Sequence, residues 1–288
     1  MSVPTAVATD RREKLLASID LLPPFSPVLA KVMASLANED VSFAQLATLI
    51  ENDTVLAGTI LRVVNSPLYG RRATVNSVRH ALSIVGMVKI RNLVLGLSVT
   101  KRWATARVPR GWSARLFNLH ALACGVMADL IVLHTPAPYA EGAFAAGLLH
   151  DIGRLLTAIA IPEDFEKLRQ AAEQEGTPMR HLEKEWLGVS HAAVSGWILE
   201  RWNLPAPIRE AVTCHHAPDQ AAGGALHLAH IVEAADRYVT RLGYTLEPPP
   251  PEPDPAARTA PSPFGLEDVA EAMGPSFQEE FDALRAVL

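Results

Sequence analysis

The sequence has little of what a secreted or disulfide-stabilised protein needs. Only two of its 288 residues are cysteine, Cys124 and Cys214, so a disulfide framework is excluded. The first residues, MSVPTAVATDRREKLL, reach charged side chains before an apolar run can form, and they therefore lack the apolar region of a signal peptide. These absences lead us to expect a cytoplasmic protein.

Acidic side chains are missing from one long stretch of the chain. Between Thr54 and Ala128 there are eleven Lys or Arg residues and no Asp or Glu, whereas the remainder carries 15 basic and 31 acidic residues. A positive field attracts an anionic partner, and the acidic remainder of the same chain is the simplest candidate. Outside the chain, we expect the partner to be a signalling protein or an anionic ligand such as a nucleotide or second messenger, and we do not expect a nucleic acid.

One apolar stretch could be mistaken for a membrane-spanning helix. The stretch from Ala143 to Ile161 has the necessary length, but His150, Asp151 and Arg154 stand at its centre. Each ionisable group at the middle of a bilayer costs roughly 2.5–3.5 kcal/mol on insertion scales. We therefore predict a buried helix and no membrane association.

The pattern that is present is helical. Apolar residues recur at helical spacing along most of the chain, and strand-like alternation is rare, which predicts an all-α protein. Ser42 and Ser190 are predicted N-caps, and Ser276 with Glu279 forms a capping-box pattern near the C-terminus. The predicted segments are a lead helix or flexible segment at 1–20, a helical half at 21–108, a second helical half at 109–246, a Pro-rich linker at 247–263 and a helical tail at 264–288.

Ionisable side chains occupy several positions where helical spacing favours a hydrophobic residue. They are His120, the pair His150 and Asp151, His191, His215 or His216, and Asp236. A buried carboxylate needs a cation or several donors, and imidazole with carboxylate is a preferred ligand set for zinc, iron and manganese. For one histidine alone, a hydrogen bond to the backbone is the simpler interpretation. Together they predict one shared site, in which Asp236 lies beside His150 and Asp151.

These residues also carry a family resemblance. The order His120, GLLHDIGRLL, His191, His215-His216 and Asp236 resembles the HD superfamily of metal-dependent phosphohydrolases. The stretch LRVVNSPLYG and the stretch SHAAVSGWILERWNLPAPIREAVTCHH are similar to the two halves of an HDOD domain, the HD-related output domain of bacterial signalling proteins. The resemblance covers about Leu21 to Tyr244. It implies an HD-like helical bundle that acts by binding in signal transduction rather than by catalysis.

The same resemblance leaves a second function open, a metal-dependent phosphohydrolase acting on a nucleotide or cyclic dinucleotide. The chain is similar to the HD-GYP cyclic-di-GMP phosphodiesterases at the positions that ligate metal there. These are His120, His150, Asp151, His191, His215, His216 and Asp236. The cofactor would be one or two divalent ions (Fe, Mn, Zn or Mg), or none in a site that has lost its metal. In an active enzyme Asp151 and Arg154 would be the catalytic residues, with Arg154 contacting phosphate.

Two departures weigh against hydrolysis. The sequence after the histidine pair, APDQAAGGALHL, lacks the Gly-Tyr-Pro element of the phosphodiesterases. Arg154 stands where those enzymes have a lysine, and a planar guanidinium is not equivalent to an ammonium group. Binding is therefore the first expectation and hydrolysis the second.

A third hypothesis is a DNA-binding regulator. Residues Val41 to Asn65 contain two short predicted helices, as in a helix-turn-helix, but Glu51 and Asp53 would then face phosphates. Elsewhere, we expect His227 and His230 to be surface histidines.

Overall fold

The computed structural model describes residues 5–22, 27–34, 42–69, 74–103, 108–109, 111–222, 225–246 and 264–287. Within these ranges the chain forms helices and no β-strand, so the prediction of an all-α protein is confirmed. The predicted Pro-rich linker at 247–263 lies outside the described residues.

The first helices form the N-terminal half of the bundle. They are α1 (Thr5–Ala17), α2 (Pro27–Ala34), α3 (Phe43–Glu51), α4 (Thr54–Val64), α5 (Val78–Val85) and α6 (Met87–Trp103), with 3-10 turns at Ile19–Leu21 and Pro67–Tyr69.

The remaining helices form the second half and the tail. They are α7 (Ala114–Val132), α8 (Ala143–Leu149), α9 (Ile152–Ala160), α10 (Pro162–Glu175), α11 (Met179–Leu187), α12 (His191–Arg201), α13 (Ala206–Cys214), α14 (Asp219–Ala222), α15 (Leu228–Arg241), α16 (Leu266–Ala272) and α17 (Gly274–Arg285), with a 3-10 turn at Ala140–Gly142.

Side-chain caps account for several helix starts. Ser42 accepts a hydrogen bond from the Gln45 amide, and the Gln45 side chain completes a capping box. Ser190 accepts from the Ala193 amide at the start of α12. Each cap satisfies one of the amide groups that the first helical turn leaves without a partner. Both predicted caps are thus confirmed.

Two local predictions are wrong. The capping-box pattern at Ser276 does not begin a helix, because α17 already begins at Gly274 with Pro275 in its first turn, where a missing amide hydrogen costs nothing. The apolar stretch around His150 is not one uninterrupted helix but two, α8 and α9, which meet at His150 and Asp151. The sequence pattern did not predict helix α10.

One continuous core of buried apolar side chains includes residues from α1 through α17. Helix α7 crosses its centre and packs against α6, α8, α15, α16 and α17. Two helical stretches, Ala114–Val132 and Ala140–Ala160, are long and apolar enough to span a membrane, but their apolar windows are 78% and 89% buried inside the protein. Packing within the bundle therefore accounts for their apolar composition.

Close contact between helices depends on two glycines. A Cβ atom at Gly147 would lie 2.6 Å from the carbonyl oxygen of Cys124, so α8 and α7 touch through their backbones. A Cβ atom at Gly153 would lie 2.2 Å from the carbonyl oxygen of His191, where α9 meets α12. These contacts bring the ends of α8, α9 and α12 together around His150 and Asp151.

A polar contact joins the basic stretch to the C-terminal tail. The Lys89 ammonium group on α6 donates to Asp129 on α7 at 3.1 Å and also to Glu280 on α17. Asn92 donates to the other Asp129 oxygen at 2.9 Å. At this point the positive charge is matched by acidic residues of the same chain, as expected from internal complementarity.

Candidate functional site

The break between α8 and α9 places two adjacent ionisable residues inside the bundle. Asp151 has φ −101° and ψ 10°, outside the helical range, and both His150 and Asp151 are buried. In an unbroken helix, adjacent side chains point about 100° apart. The irregular backbone at Asp151 instead allows both side chains to face one cluster.

The Asp151 carboxylate lies between two groups of histidines. Its Oδ2 atom is 3.7 Å from Nε2 of both His120 and His150. Its Oδ1 atom is 3.0 Å from Nε2 of His191 and 3.9 Å from Nε2 of His215. Each oxygen therefore faces a different pair of imidazoles.

The histidines within each group are close to one another. His120 and His150 have their Nε2 atoms 3.3 Å apart, and Asp236 Oδ1 is 3.4 Å from Nε2 of His120. On the other side, Nε2 of His191 is 3.4 Å from that of His215 and 3.0 Å from that of His216. All seven side chains that the sequence singled out as metal ligands thus meet in one place, and Asp236 lies beside His150 and Asp151 as expected.

Backbone carbonyl groups set the tautomer of three of these histidines. Nδ1 of His120 lies 2.8 Å from the oxygen of Tyr244, Nδ1 of His150 lies 2.7 Å from that of Gly147, and Nδ1 of His215 lies 2.6 Å from that of Val212. A carbonyl oxygen can only accept, so each Nδ1 carries the hydrogen. In the neutral ring each Nε2 then presents a lone pair to the cluster, which is the form that binds a metal ion.

His191 is held by a carboxylate that the sequence analysis missed. Glu183, on α11, accepts hydrogen bonds from Nδ1 of His191 at 2.7 Å and from its backbone amide at 2.7 Å. Helical spacing could have identified it, because Glu183 lies between Met179 and Leu187 on the buried face of α11. The same logic had identified Asp236 on α15.

Charge compensation explains the protonation states in the cluster. Burial lowers the pKa of His191, but Glu183 and Asp151 offset this and raise the pKa to about 9. Burial and the neighbouring His150 and His191 lower the pKa of His215 to about 3. In the absence of a metal ion, the proton on His191 therefore supplies positive charge between two carboxylates.

Arg154 supplies the other positive charge. Its Nε atom is 3.2 Å from Oδ2 of Asp151, one helical turn earlier in the chain. Burial raises the pKa of Asp151, but Arg154, His150 and His191 outweigh that effect and hold the pKa well below its usual range. The guanidinium group therefore neutralises Asp151 within the site.

The residues present fit a bound cation. Oδ1 of Asp151 is buried, and the nearest imidazole nitrogen to it is Nε2 of His191, at 3.0 Å. Buried carboxylate oxygens and imidazole lone pairs that face one another are unfavourable unless positive charge lies among them. Three sets of side chains have donor atoms close enough for one ion: His120, Cys124, His150 and Asp236; His191, His215 and His216; and His150, Asp151 and His215.

Access to the cluster is restricted. Five of the seven predicted ligands, namely His120, His150, Asp151, His191 and His215, are at most 5% exposed. His216 is exposed, and the Asp236 side chain is 20% exposed. Solvent therefore reaches the cluster mainly at His216 and at Asp236.

Two other statements about polar residues can be compared with the structure. His230 is not a surface residue, because it is buried and its Nε2 lies 3.2 Å from Asp219 Oδ1. His227 is partly buried and caps α15. The two acids that weigh against a helix-turn-helix, Glu51 and Asp53, have partners within the chain. Asp53 caps α4, and Glu51 lies 3.6 Å from Arg79.

Comparisons with known proteins agree with this architecture. Residues 22–218 match the profile of the HDOD domain family. An uncharacterized protein of Treponema pallidum (strain Nichols) is 26% identical over 199 residues, which make up 69% of this chain and 38% of that protein. The chain therefore spans well under half of this relative.

Solved structures share the fold. An HDOD domain protein of unknown function from Geobacter sulfurreducens superposes with a TM-score of 0.81 at 22% identity, covering 98% of both chains. A candidate phosphohydrolase from Shewanella amazonensis SB2B has a TM-score of 0.72 at 22% identity, covering 96% of this chain and 98% of that one. A candidate signal transduction protein from Marinobacter aquaeolei VT8 has a TM-score of 0.68 at 20% identity, covering 97% of this chain and 65% of that one.

At these identities the structural likeness concerns the fold alone, whereas the profile match covers more than half of the chain. With the buried histidine and aspartate cluster at the centre of an all-α bundle, these findings identify the chain as a member of the HDOD family.

Proposed function

We propose that this chain is a bacterial signal-transduction module of the HDOD type that holds one or two divalent metal ions and acts by binding a partner in the cytoplasm. The observation that carries the proposal is the convergence of five imidazoles and two carboxylates on one buried cluster. The described relatives include a candidate signal transduction protein, which supports the same class of function.

The ligands would be His120, His150, His191, His215, His216, Asp151 and Asp236. Asp151 would contact both histidine groups because its two oxygens face different pairs. When bound, divalent ions would supply Lewis-acid chemistry and positive charge at the point where the helices meet. Since the ligands come from α7, α12, α15, the junction of α8 with α9 and the end of α13, metal binding would hold these elements in one arrangement.

Binding is favoured over catalysis by two features of the cluster. Most ligands are buried, which leaves His216 and Asp236 as the more exposed members of the set. Nε of Arg154, the expected phosphate contact, lies 3.2 Å from Asp151 Oδ2 instead, so the guanidinium charge compensates the Asp151 carboxylate. A partner protein or an anionic second messenger would act on the basic N-terminal helices or on their junction with the acidic half.

A metal-dependent phosphohydrolase acting on nucleotides or cyclic dinucleotides is the second candidate. It is favoured by the position of Asp151 between two histidine groups, since a carboxylate shared by two ions is a feature of two-metal hydrolytic sites. In that case Asp151 would orient both ions and Arg154 would contact the phosphate.

Metal content followed by turnover separates the two. The full chain is purified without chelator and analysed for its elements, then assayed with cyclic di-GMP and with nucleotides in the presence of Mn²⁺ or Fe²⁺. We expect metal in the wild-type protein, less in Asp151→Ala, and no hydrolysis. Hydrolysis that disappears in Asp151→Ala would establish the second candidate, and a protein that takes up no metal would overturn both.

A further inference from the structure

A cysteine lies beside the group formed by His120 and His150, one helical turn after His120 on α7. The Sγ atom of Cys124 is 3.7 Å from Nε2 of His120, and the side chain is fully buried. Its donor atom lies within 4.8 Å of those of His120, His150 and Asp236. No expected ligand set included Cys124.

We propose that Cys124 is a metal ligand, and that with His120, His150 and Asp236 it forms a four-coordinate site selective for a zinc-class ion. This inference rests on the proposed metal binding at the cluster. It assigns a sulfur ligand to one side of the cluster, while the side formed by His191, His215 and His216 offers nitrogen donors and Asp151 an oxygen donor.

The distances from Nε2 of His120 to the other three proposed ligands agree with a tetrahedron, and the donor atoms of all four residues lie within 4.8 Å of one another. With Zn–N bonds of about 2.0–2.1 Å and a Zn–S bond of about 2.3 Å, tetrahedral geometry separates two nitrogen ligands by about 3.3 Å and a nitrogen from a sulfur by about 3.6 Å. The observed separations are 3.3 Å for the two Nε2 atoms of His120 and His150 and 3.7 Å from His120 Nε2 to Cys124 Sγ. Asp236 Oδ1, at 3.4 Å from His120 Nε2, fits the same arrangement.

The packing of α8 against α7 supports this arrangement. Gly147 approaches the Cys124 backbone so closely that a Cβ atom would lie 2.6 Å from the Cys124 carbonyl. His150 follows three residues later, and its Nδ1 is fixed by the Gly147 carbonyl at 2.7 Å. The same backbone contact thus places the His150 ring on the Cys124 side of the cluster.

The chemistry of the donor set predicts which ion binds. A thiolate with imidazoles favours zinc and cobalt over manganese and magnesium, which prefer oxygen ligands. When the metal–sulfur bond forms, the thiol proton is released to solvent and the ion counters the charges of Asp236 and Asp151. Thiolate ligation would therefore distinguish this cluster from one made only of histidine and carboxylate.

The test is a cobalt titration of the full chain after removal of metal with a chelator. A thiolate bound to Co²⁺ gives a strong sulfur-to-cobalt charge-transfer absorption in the near ultraviolet. We expect this absorption in the wild-type protein and in Cys214→Ala, the matched control, because Cys214 is the other cysteine and only partly buried. We expect its loss in Cys124→Ala, with cobalt still bound at lower affinity.

Zinc and manganese affinities provide a second readout. Cys124→Ala should lower the zinc affinity by more than the roughly 10–100-fold that loss of an outer-shell partner costs, and should change the manganese affinity much less. Cys124→Ser, which keeps the side-chain volume, and circular dichroism of both variants show whether the fold persists without metal.

The outcomes separate the inference from the proposed function. Cobalt binding without charge-transfer absorption, or an unchanged ratio of zinc to manganese affinity in Cys124→Ala, would overturn the role of Cys124 and leave metal binding standing. Failure of the wild-type chain to bind cobalt, zinc or manganese would overturn both.

Discussion

Glu183 binds His191 at both its ring and its backbone. The two carboxylate oxygens lie 2.7 and 2.8 Å from Nδ1 of the ring, and one of them also accepts a hydrogen bond from the backbone amide of His191 at 2.7 Å. Both residues are buried. A carboxylate bound to Nδ1 fixes the ring and directs Nε2 at Asp151, which is 3.0 Å away. Glu183 is thus a positioning residue for the group formed by His191, His215 and His216.

Replacing Glu183 by Gln should weaken metal binding without removing a ligand. Outer-shell partners of ligating histidines are worth about 10–100-fold in metal affinity, and we expect a loss in that range. The measurement is zinc affinity by competition with a chromophoric chelator. Glu185→Gln, on the exposed face of the same helix, is the control and should bind zinc like the wild type. Equal affinities for the two variants would show that His191 does not need Glu183.

The C-terminal tail should stabilise the site through Tyr244. Phe281 of α17 is fully buried and packs edge-on against Tyr244 at 4.8 Å between ring centroids, and the Tyr244 carbonyl accepts from His120. Phe281→Ala should lower the free energy of unfolding by about 3–5 kcal/mol, as is usual for loss of a buried aromatic ring. Zinc affinity should fall with it.

Urea unfolding monitored by circular dichroism measures this loss. Leu133→Ala is the control, since Leu133 is 70% exposed and its truncation should change the stability by less than about 0.5 kcal/mol. A Phe281→Ala protein as stable as this control would mean that the tail does not support the bundle.

Gly153 should be irreplaceable by alanine. An added Cβ would meet the His191 carbonyl oxygen at 2.2 Å and the Ser195 amide at 2.9 Å, which forces α9 and α12 apart. Overpacking of this kind typically costs about 1–3 kcal/mol or more, and here it would also separate Asp151 from His191. Thermal unfolding and zinc affinity should both decrease.

Replacing Gly58 by alanine should have the opposite effect on stability, because this glycine has free space around it. It lies in the middle of α4 with nothing within 4 Å of an added Cβ. Gly58→Ala should therefore stabilise the protein by about 0.4–1 kcal/mol, because alanine has less conformational entropy to lose on folding. If Gly153→Ala were as stable as Gly58→Ala, α9 and α12 would not be in close contact at Gly153.

The Lys89 contact should make stability fall at alkaline pH. Burial lowers the pKa of Lys89, but Asp129 and Glu280 outweigh it, so the pKa in the folded state is raised above the ordinary 10.5. The stabilisation is then complete below pH 10.5 and is lost as the pH rises through the higher folded-state pKa.

Comparing the wild type with Lys89→Met measures the contribution of the Lys89 contact to stability. The stability advantage of wild type over Lys89→Met should be on the order of 2 kcal/mol at pH 9, a typical contribution from hydrogen bonds to charged groups, and should shrink above pH 11. Lys101→Met, at an exposed position on the same helix, should show no such dependence. Thermal unfolding across this pH range makes the comparison. An advantage that stayed constant with pH would contradict the raised pKa.

Much of the fold could be predicted from local sequence because the relevant signals act over one or two helical turns. Helical spacing of apolar residues identified most helices, and the caps at Ser42 and Ser190 follow from the amide groups that a helix start leaves free. Helix α10 has a charged sequence with few apolar residues, so its pattern was weak. The break at Asp151 was missed because the apolar pattern continues across it.

The sequence by itself determined which residue types the site would contain, because a histidine or aspartate on an apolar helical face must be buried and must find a partner. Only the tertiary structure decided how those residues face one another, since their separation in space depends on close backbone contacts such as that at Gly147. Carbonyl groups of Tyr244, Gly147 and Val212 turn the Nε2 atoms inward, and Glu183 does the same for His191. The contacts made by Tyr244 and Glu183 join different elements of the fold, so no local pattern could show which atoms meet there.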